Sequence, residues 1–237
     1  MEAIVLAGGK GTRLQSVVAD VPKCMAPVAG KPFLYYLLST LETAGFSRVI
    51  LALGYMHEAI EAWIDRYETS LTITPVVEDT PLGTGGAVKL ALSKATQPSV
   101  FVFNGDSYLE LDYQALFQFH IEKKALATIA LKQMFRFERY GRVEIDDKEQ
   151  IVRFGEKQYC DAGFINGGVY VINQKALEKF PDAFSLEKDF FEPEAATGQL
   201  AGFATGGYFI DIGIPEDYLR AQSDFARRND TVSKERR

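Results

Sequence analysis

Short apolar runs alternate with amphipathic segments along the first hundred residues, and this most constrains what the chain can fold into. Residues 2–7 read as a buried strand, and 33–44 as a helix stopped by Gly45. A strand at 48–53 and a helix at 58–67, which holds the only tryptophan, come next. Then come a strand at 71–77, a helix at 85–95 and a fully apolar strand at 99–103. Such alternation predicts a doubly wound, mostly parallel sheet with helices on both faces, a Rossmann-like α/β/α arrangement. The pattern tightens after about residue 120. Strand-like stretches at 125–133, 141–145, 151–154 and 165–172 lie close together, with Asp146-Asp147 as a hairpin turn. They add antiparallel strands and make the sheet mixed. A helix at 215–226 follows, and 227–237 is polar and reads as a frayed tail. We therefore expect one domain over 1–226, in a 1–120 part and a 121–226 part.

Composition excludes several classes. The net charge of −6 disfavours nucleic acid as the main partner, because phosphate-backbone binding wants a basic face. No stretch approaches the length of a membrane span, and no secretory leader stands at the start. Cys24 and Cys160 form no disulfide framework, which fits a reducing cytoplasm.

The cations near the N-terminus are a local feature. AGGKGTRL, residues 7–14, follows the first strand. Ligands of open α/β sheets bind beyond the carboxyl ends of the strands, and glycine backbones there can form an anion nest. Lys10 and Arg13 add charge where a polyphosphate would lie. The loop is no Walker A motif, and Leu14 stands where a dinucleotide fingerprint needs its third glycine. An ordinary turn with surface cations is the plainer alternative. Lys23 and Lys31 then bracket the same excursion.

With these residues in view, GGKGTRL…PKCMAPVAGKPFL resembles the signature of the sugar-1-phosphate nucleotidyltransferases. These enzymes join an NTP to a sugar 1-phosphate and release pyrophosphate. The resemblance runs from Met1 to about Tyr218. It implies the nucleotide-diphospho-sugar transferase fold. It also implies an NTP and a sugar 1-phosphate as partners, Mg²⁺ as cofactor, and a nucleotide cradle of Leu6, Ala7, Gly8, Gly9, Lys10, Gly11 and Thr12. Arg13 and Lys23 take the catalytic roles on phosphate. In EDTPLGTGGA, Gly83, Thr84 and Gly85 are implied base-side residues. In VFVFNGDS, Asn104 and Gly105 lead to Asp106, the first implied metal ligand. Asp211 in YFIDIGIPEDY is the second, and only the resemblance implies that the two meet. Glu156 and Lys157 of GEKQ, Asn166 and Gly167 of INGGVY, and Tyr140-Gly141 are implied on the sugar side. Gln158 departs from the proline common after Glu-Lys in the family. A homodimer is a further expectation.

Bland readings stand beside these. Asp106 is equally a turn former, Glu156-Lys157 a solvated pair, and Asn166 a strand-edge hydrogen-bonder. Glu216 and Asp217 suit a helix start. His57 and His120 read as surface or helix histidines, and Cys24 as an inert thiol. The chemistry needs no general base, since phosphate is already ionised at neutral pH.

Glu78 bears on the base. An ionised carboxylate only accepts, and guanine offers adjacent N1–H and N2–H₂ donors. GTP is favoured if Glu78 faces the base; Asp79 is the other candidate reader. The short guanylyl-transferring members that act on a heptose 1-phosphate resemble the chain best. Mannose 1-phosphate guanylyltransferases and short uridylyl- or cytidylyltransferases compete. The chain leaves no room for an appended β-helix domain. Two other classes differ in what they require. A glycosyltransferase of similar fold would not need the triphosphate loop. A non-catalytic nucleotide-sugar-binding regulator would tolerate loss of Arg13, Lys23, Asp106 or Asp211, and all four are in place.

Overall fold

The structure is a computed structural model that describes residues 1–9, 11, 14, 17, 18 and 21–235, with side chains to 228. Its strands are β1 Glu2–Leu6, β2 Pro27–Val28, β3 Lys31–Pro32, β4 Arg48–Leu53, β5 Thr72–Val77, β6 Ser99–Asn104 and β7 Ser107–Leu109. The chain continues with β8 Ala127–Phe137, β9 Gly141–Ile145, β10 Ile151–Lys157, β11 Cys160–Asn173, β12 Leu200–Thr205 and β13 Phe209–Asp211. Helices are α1 Phe33–Thr43, α2 His57–Ile64, α3 Gly83–Leu92, α4 Tyr113–Lys123, α5 Glu192–Glu194 and α6 Pro215–Glu235.

The main sheet runs β10-β9-β11-β6-β1-β4-β5, with β8 beside β11 and β12 beside β8. β6, β1, β4 and β5 are mutually parallel, and β11 joins β6 antiparallel. This is the expected mixed, doubly wound sheet. Alternation within each strand separates two cores. Ala3, Val5, Val49, Leu51, Phe101 and Phe103 meet α1, α4 and α6 on one face. Ile4, Ile50, Val100, Val102, Tyr170 and Ile172 meet α3 and Phe184, Phe190 and Phe191 on the other.

The final helix does not stop at Ala226 but continues to Glu235. Arg228 explains part of this. Its guanidinium lies 4.2 Å from the Tyr208 ring centre, and it donates to Glu110 Oε2 at 3.0 Å. The helix therefore has a partner past the expected end.

His120 is a helix residue as expected, but it is buried rather than at the surface. Its Nδ1 pairs with the Thr128 hydroxyl at 2.9 Å and its Nε2 with the Ser99 hydroxyl at 3.1 Å. Burial lowers its pKa to about 4, so the folded ring is neutral. The unfolded chain takes up this proton near pH 6.5. The associated stability, on the order of 3 kcal/mol, is thus fully present above about pH 6.5 and is lost as pH falls toward 4. Melting temperatures followed from pH 7 to 4 should fall less steeply in His120→Gln. Parallel pH profiles would refute the assignment.

Candidate active site

The carboxyl ends of β5, β4, β1 and β6 open onto one cavity of about 820 Å³. Leu6, Ala7, Gly8 and Gly9 supply its floor, and Asn104, Gly105 and Asp106 one end. Gly54 and Tyr55 after β4, and Glu78, Asp79, Thr80 and Pro81 after β5, form the other. Lys23, Cys24, His57, Gly83, Thr84, Ala87 and Glu187 complete the wall. The sequence reading missed Gly54, Tyr55, His57 and Glu187 here.

Within the opening stretch, Gly11 packs against Lys23. Gly11 has φ +59°, and a Cβ there would lie 2.8 Å from Lys23 Cβ, so a side chain is refused both by conformation and by space. Leu14 is buried in the core and donates its N–H to the Gly11 carbonyl at 2.9 Å. Lys10, Thr12 and Arg13 lie outside the described residues.

The two aspartates do meet. β7 and β13 pair antiparallel with Asp211 opposite Ser107, and Ile212 N–H donates to the Asp106 carbonyl at 2.9 Å. The Lys23 ammonium sits between them, bonded to Asp106 Oδ2 and 3.8 Å from Asp211 Oδ1. Burial raises the Asp211 pKa, the Asp106 charge raises it further, and Lys23 opposes both. Added positive charge at this spot is therefore favourable. Two hard carboxylates open to phosphate oxygens form a donor set that fits Mg²⁺, which is commonly held by one or two carboxylates plus phosphate. No cluster of three or more His, Cys, Asp or Glu competes for a metal among the described residues.

Cys24 beside Lys23 is fully buried, and burial pushes its thiol up to about 12, so it is no nucleophile. His57 begins α2 and pairs with Glu61 Oε2 at 2.9 Å.

Gly83 and Thr84 line the cavity, but Gly85 is set apart from it. The Gly85 and Gly86 amides donate to the Phe184 carbonyl at 3.0 and 3.3 Å, and the Phe184 ring packs on Gly85. A later segment of the chain thus takes amides that the sequence left open for a ligand. Glu78 Oε2 accepts the Leu82 N–H at 3.0 Å, which leaves Oε1, lying against Gly54, for other work.

None of the six sugar-side residues is in the wall of this cavity. Tyr140 packs edge-on against Phe209 of β13, and its hydroxyl accepts from Arg139 at 2.8 Å. Burial, then the Asp211 charge, raises its phenol pKa. Gly141 stands opposite Lys157 across β9 and β10, which brings the Tyr140-Gly141 and Glu156-Lys157 pairs onto neighbouring strands. Glu156 and Lys157 are exposed. Asn166 and Gly167 occupy the irregularity of β11 between Asn166 and Tyr170. Asn166 Oδ1 accepts the Gly168 N–H at 2.9 Å, and Gly167 approaches Leu109 of β7.

A cavity across parallel strand ends, with a lysine between two facing aspartates, defines an α/β protein of the nucleotide-diphospho-sugar transferase fold. The chain belongs to the nucleotidyl transferase family, whose model matches residues 2–228. It is 46% identical over 226 residues to D-glycero-alpha-D-manno-heptose 1-phosphate guanylyltransferase of Aneurinibacillus thermoaerophilus, covering 94% of this chain and 98% of that one. It is 38% identical to the Campylobacter jejuni enzyme of the same name, covering 92% and 97%. Among solved structures it resembles HddC from Yersinia pseudotuberculosis in complex with GMP-PN, with TM-score 0.86, 40% identity and coverage of 94% and 99%.

Proposed function

We propose that the chain transfers a guanylyl group from GTP to D-glycero-α-D-manno-heptose 1-phosphate, giving GDP-heptose and pyrophosphate. The observation that carries transfer is the meeting of Lys23, Asp106 and Asp211 at one end of the cavity. The heptose and the guanine rest on the likeness to the heptose 1-phosphate guanylyltransferases. Glu78 Oε1 and the neighbouring Asp79 add to the guanine reading, because acceptors in the wall suit its paired donors.

A sugar-phosphate oxygen attacks the α-phosphorus of GTP. That P–O bond forms as the bond to the β-phosphate oxygen breaks, and pyrophosphate leaves with the electron pair. The chain's task is alignment and charge neutralisation. Lys23 holds phosphate oxygens in line, and the loop at 7–13 cradles the triphosphate with Lys10 and Arg13. Lys157 meets the sugar phosphate, while Glu156, Tyr140 and Asn166 meet sugar hydroxyls. Asp106 and Asp211 would hold Mg²⁺, which supplies a positive charge shared by the reacting phosphates. We place the enzyme in the cytoplasm; no helix among the described residues is long and apolar enough to cross a membrane.

Pyrophosphate release with Mg²⁺ tests this across GTP, ATP, UTP, CTP and dTTP, each with heptose, mannose and glucose 1-phosphates. GTP with the heptose should exceed every other pair by at least about tenfold. Preference for UTP or CTP would remove the guanine argument, and preference for mannose 1-phosphate would reassign the sugar.

A further inference from the structure

Glu187 belongs to no motif of the sequence reading, yet it stands in the cavity wall. It sits on a π-helical turn, Leu186–Phe191, a conformation often found at functional sites. The turn is clasped to the start of α3. Thr84 Oγ1 donates to Glu187 Oε2 at 2.7 Å and accepts the Leu186 N–H at 2.9 Å. Ser185 Oγ donates to the same carboxylate oxygen at 3.2 Å. The Phe184 carbonyl and N–H bond the backbone on either side of Gly83. The carboxylate is thus held in one place by both sequence halves.

Its other oxygen, Oε1, has no hydrogen-bond partner, and no cation pairs with the residue, among the described residues. An unpaired carboxylate beside a triphosphate is repelled by it, so phosphate is not what it binds. As an acceptor only, it needs a donor. The donors a nucleotide and a sugar present are base N–H groups and hydroxyls. The cavity's order across the sheet separates these. Glu78 and Asp79 follow β5 at the sheet's outer edge, whereas the turn that carries Glu187 packs Phe191 against Tyr170 of β11, their ring centres 5.1 Å apart, at the other side of β6. Tyr170 in turn accepts from Asn104 at 3.4 Å, next to Asp106. The carboxylate, clasped to Thr84, thus stands between the base-side loop and the reacting end, where hydroxyls lie.

Resting on the guanylyl-transfer reading, we infer that Glu187 Oε1 accepts a hydrogen bond from a substrate hydroxyl, of the GTP ribose or of the sugar phosphate. It is a specificity-determining residue held in place by Thr84 and Ser185. Glu187→Gln preserves the shape and an acceptor for the clasp, whereas Glu187→Ala removes both.

The test measures KM and kcat for GTP, 2′-deoxy-GTP, 3′-deoxy-GTP and ITP with heptose 1-phosphate, with calorimetric binding of each nucleotide and a melting temperature for each variant. If the ribose is the donor, wild type favours GTP over one deoxy form by tenfold or more, and both variants reduce that ratio below about threefold. If the sugar is the donor, both variants raise KM for the sugar phosphate at least tenfold and leave the deoxy ratios unchanged. Either result supports the assignment. Loss of the GTP-to-ITP ratio in the variants would make Glu187 a base reader and overturn it. It would also fall if Glu187→Gln kept wild-type KM values while Glu187→Ala lost melting temperature and both affinities together. Should wild type release no pyrophosphate, the transfer reading fails on its own, and calorimetry with the deoxy nucleotides still decides whether Glu187 holds the ribose.

Discussion

Asp106→Ala is expected to lower pyrophosphate release by about a thousandfold or more, with little change in folding. The side chain is 37% exposed and packs no core, so its removal leaves the two hydrophobic clusters intact. What it removes is one of two carboxylates held on either side of Lys23. Preorganised charge at the reacting phosphates typically supplies two to three orders of magnitude per group, roughly, and a shared metal site fails as a unit. Asp211→Ala should match it. The double variant should cost little more than either single one, because the first loss already dismantles the site. Retention of a tenth of wild-type turnover by Asp106→Ala would sink this assignment of the site.

Gly105→Ala should damage stability and activity together. A Cβ at Gly105 would lie 2.3 Å from the Leu6 carbonyl oxygen and 3.4 Å from Ala7 Cα. The obstacle is backbone, so no rotamer relieves it. Gly105 N–H also donates to that same carbonyl at 2.9 Å, which ties the ends of β1 and β6. Relief requires these ends to part, at a cost of roughly 1–3 kcal/mol or more. For a chain of this size that lowers the melting temperature by about 5 °C or more. Asp106 follows directly, so its carboxylate moves, and a misplacement of about 1 Å can cost a hundredfold in rate. Gly206→Ala is the control, since nothing lies within 4 Å of a Cβ there. Equal melting temperatures for the two variants would refute the close-approach argument.

Much of the nucleotide half was legible because β1, β4 and β6 are almost wholly buried and its helices are amphipathic. The strand expected at 48–53 coincides with Arg48–Leu53, and in the second half the strand expected at 141–145 coincides with Gly141–Ile145. Elsewhere the local signal was weaker. Tyr113–Lys123 was not foreseen as a helix, although Asp112 caps it by accepting the Ala115 N–H at 3.0 Å. Its apolar residues and the buried His120 spread around the axis, so no single stripe stands out. β11 was expected at 165–172 and runs Cys160–Asn173, because its polar first half pairs with β8 and lacks the apolar pattern of a core strand. Phe184, Phe190 and Phe191 follow neither a strand nor an α-helix period, which hid the π-helical turn and Glu187 with it. Asp106 and Asp211 were both named from motif context. Their contact depends on the β7–β13 ladder, which joins segments about a hundred residues apart and leaves no local mark.

The place of β11 next to β6 also bears on how the chain is made. β6, SVFVFN, is the last strand of the parallel set β6-β1-β4-β5 to be made, and its open side is closed only when Val169–Asn173 of β11 arrive. On the ribosome the first four parallel strands are complete long before that partner emerges. During that interval the nascent chain presents an unpaired, strongly apolar strand edge, the kind that recruits other chains. Sheet order therefore makes the first half of this protein dependent on the second for its solubility during synthesis, even though the nucleotide cavity is built largely from the first half alone.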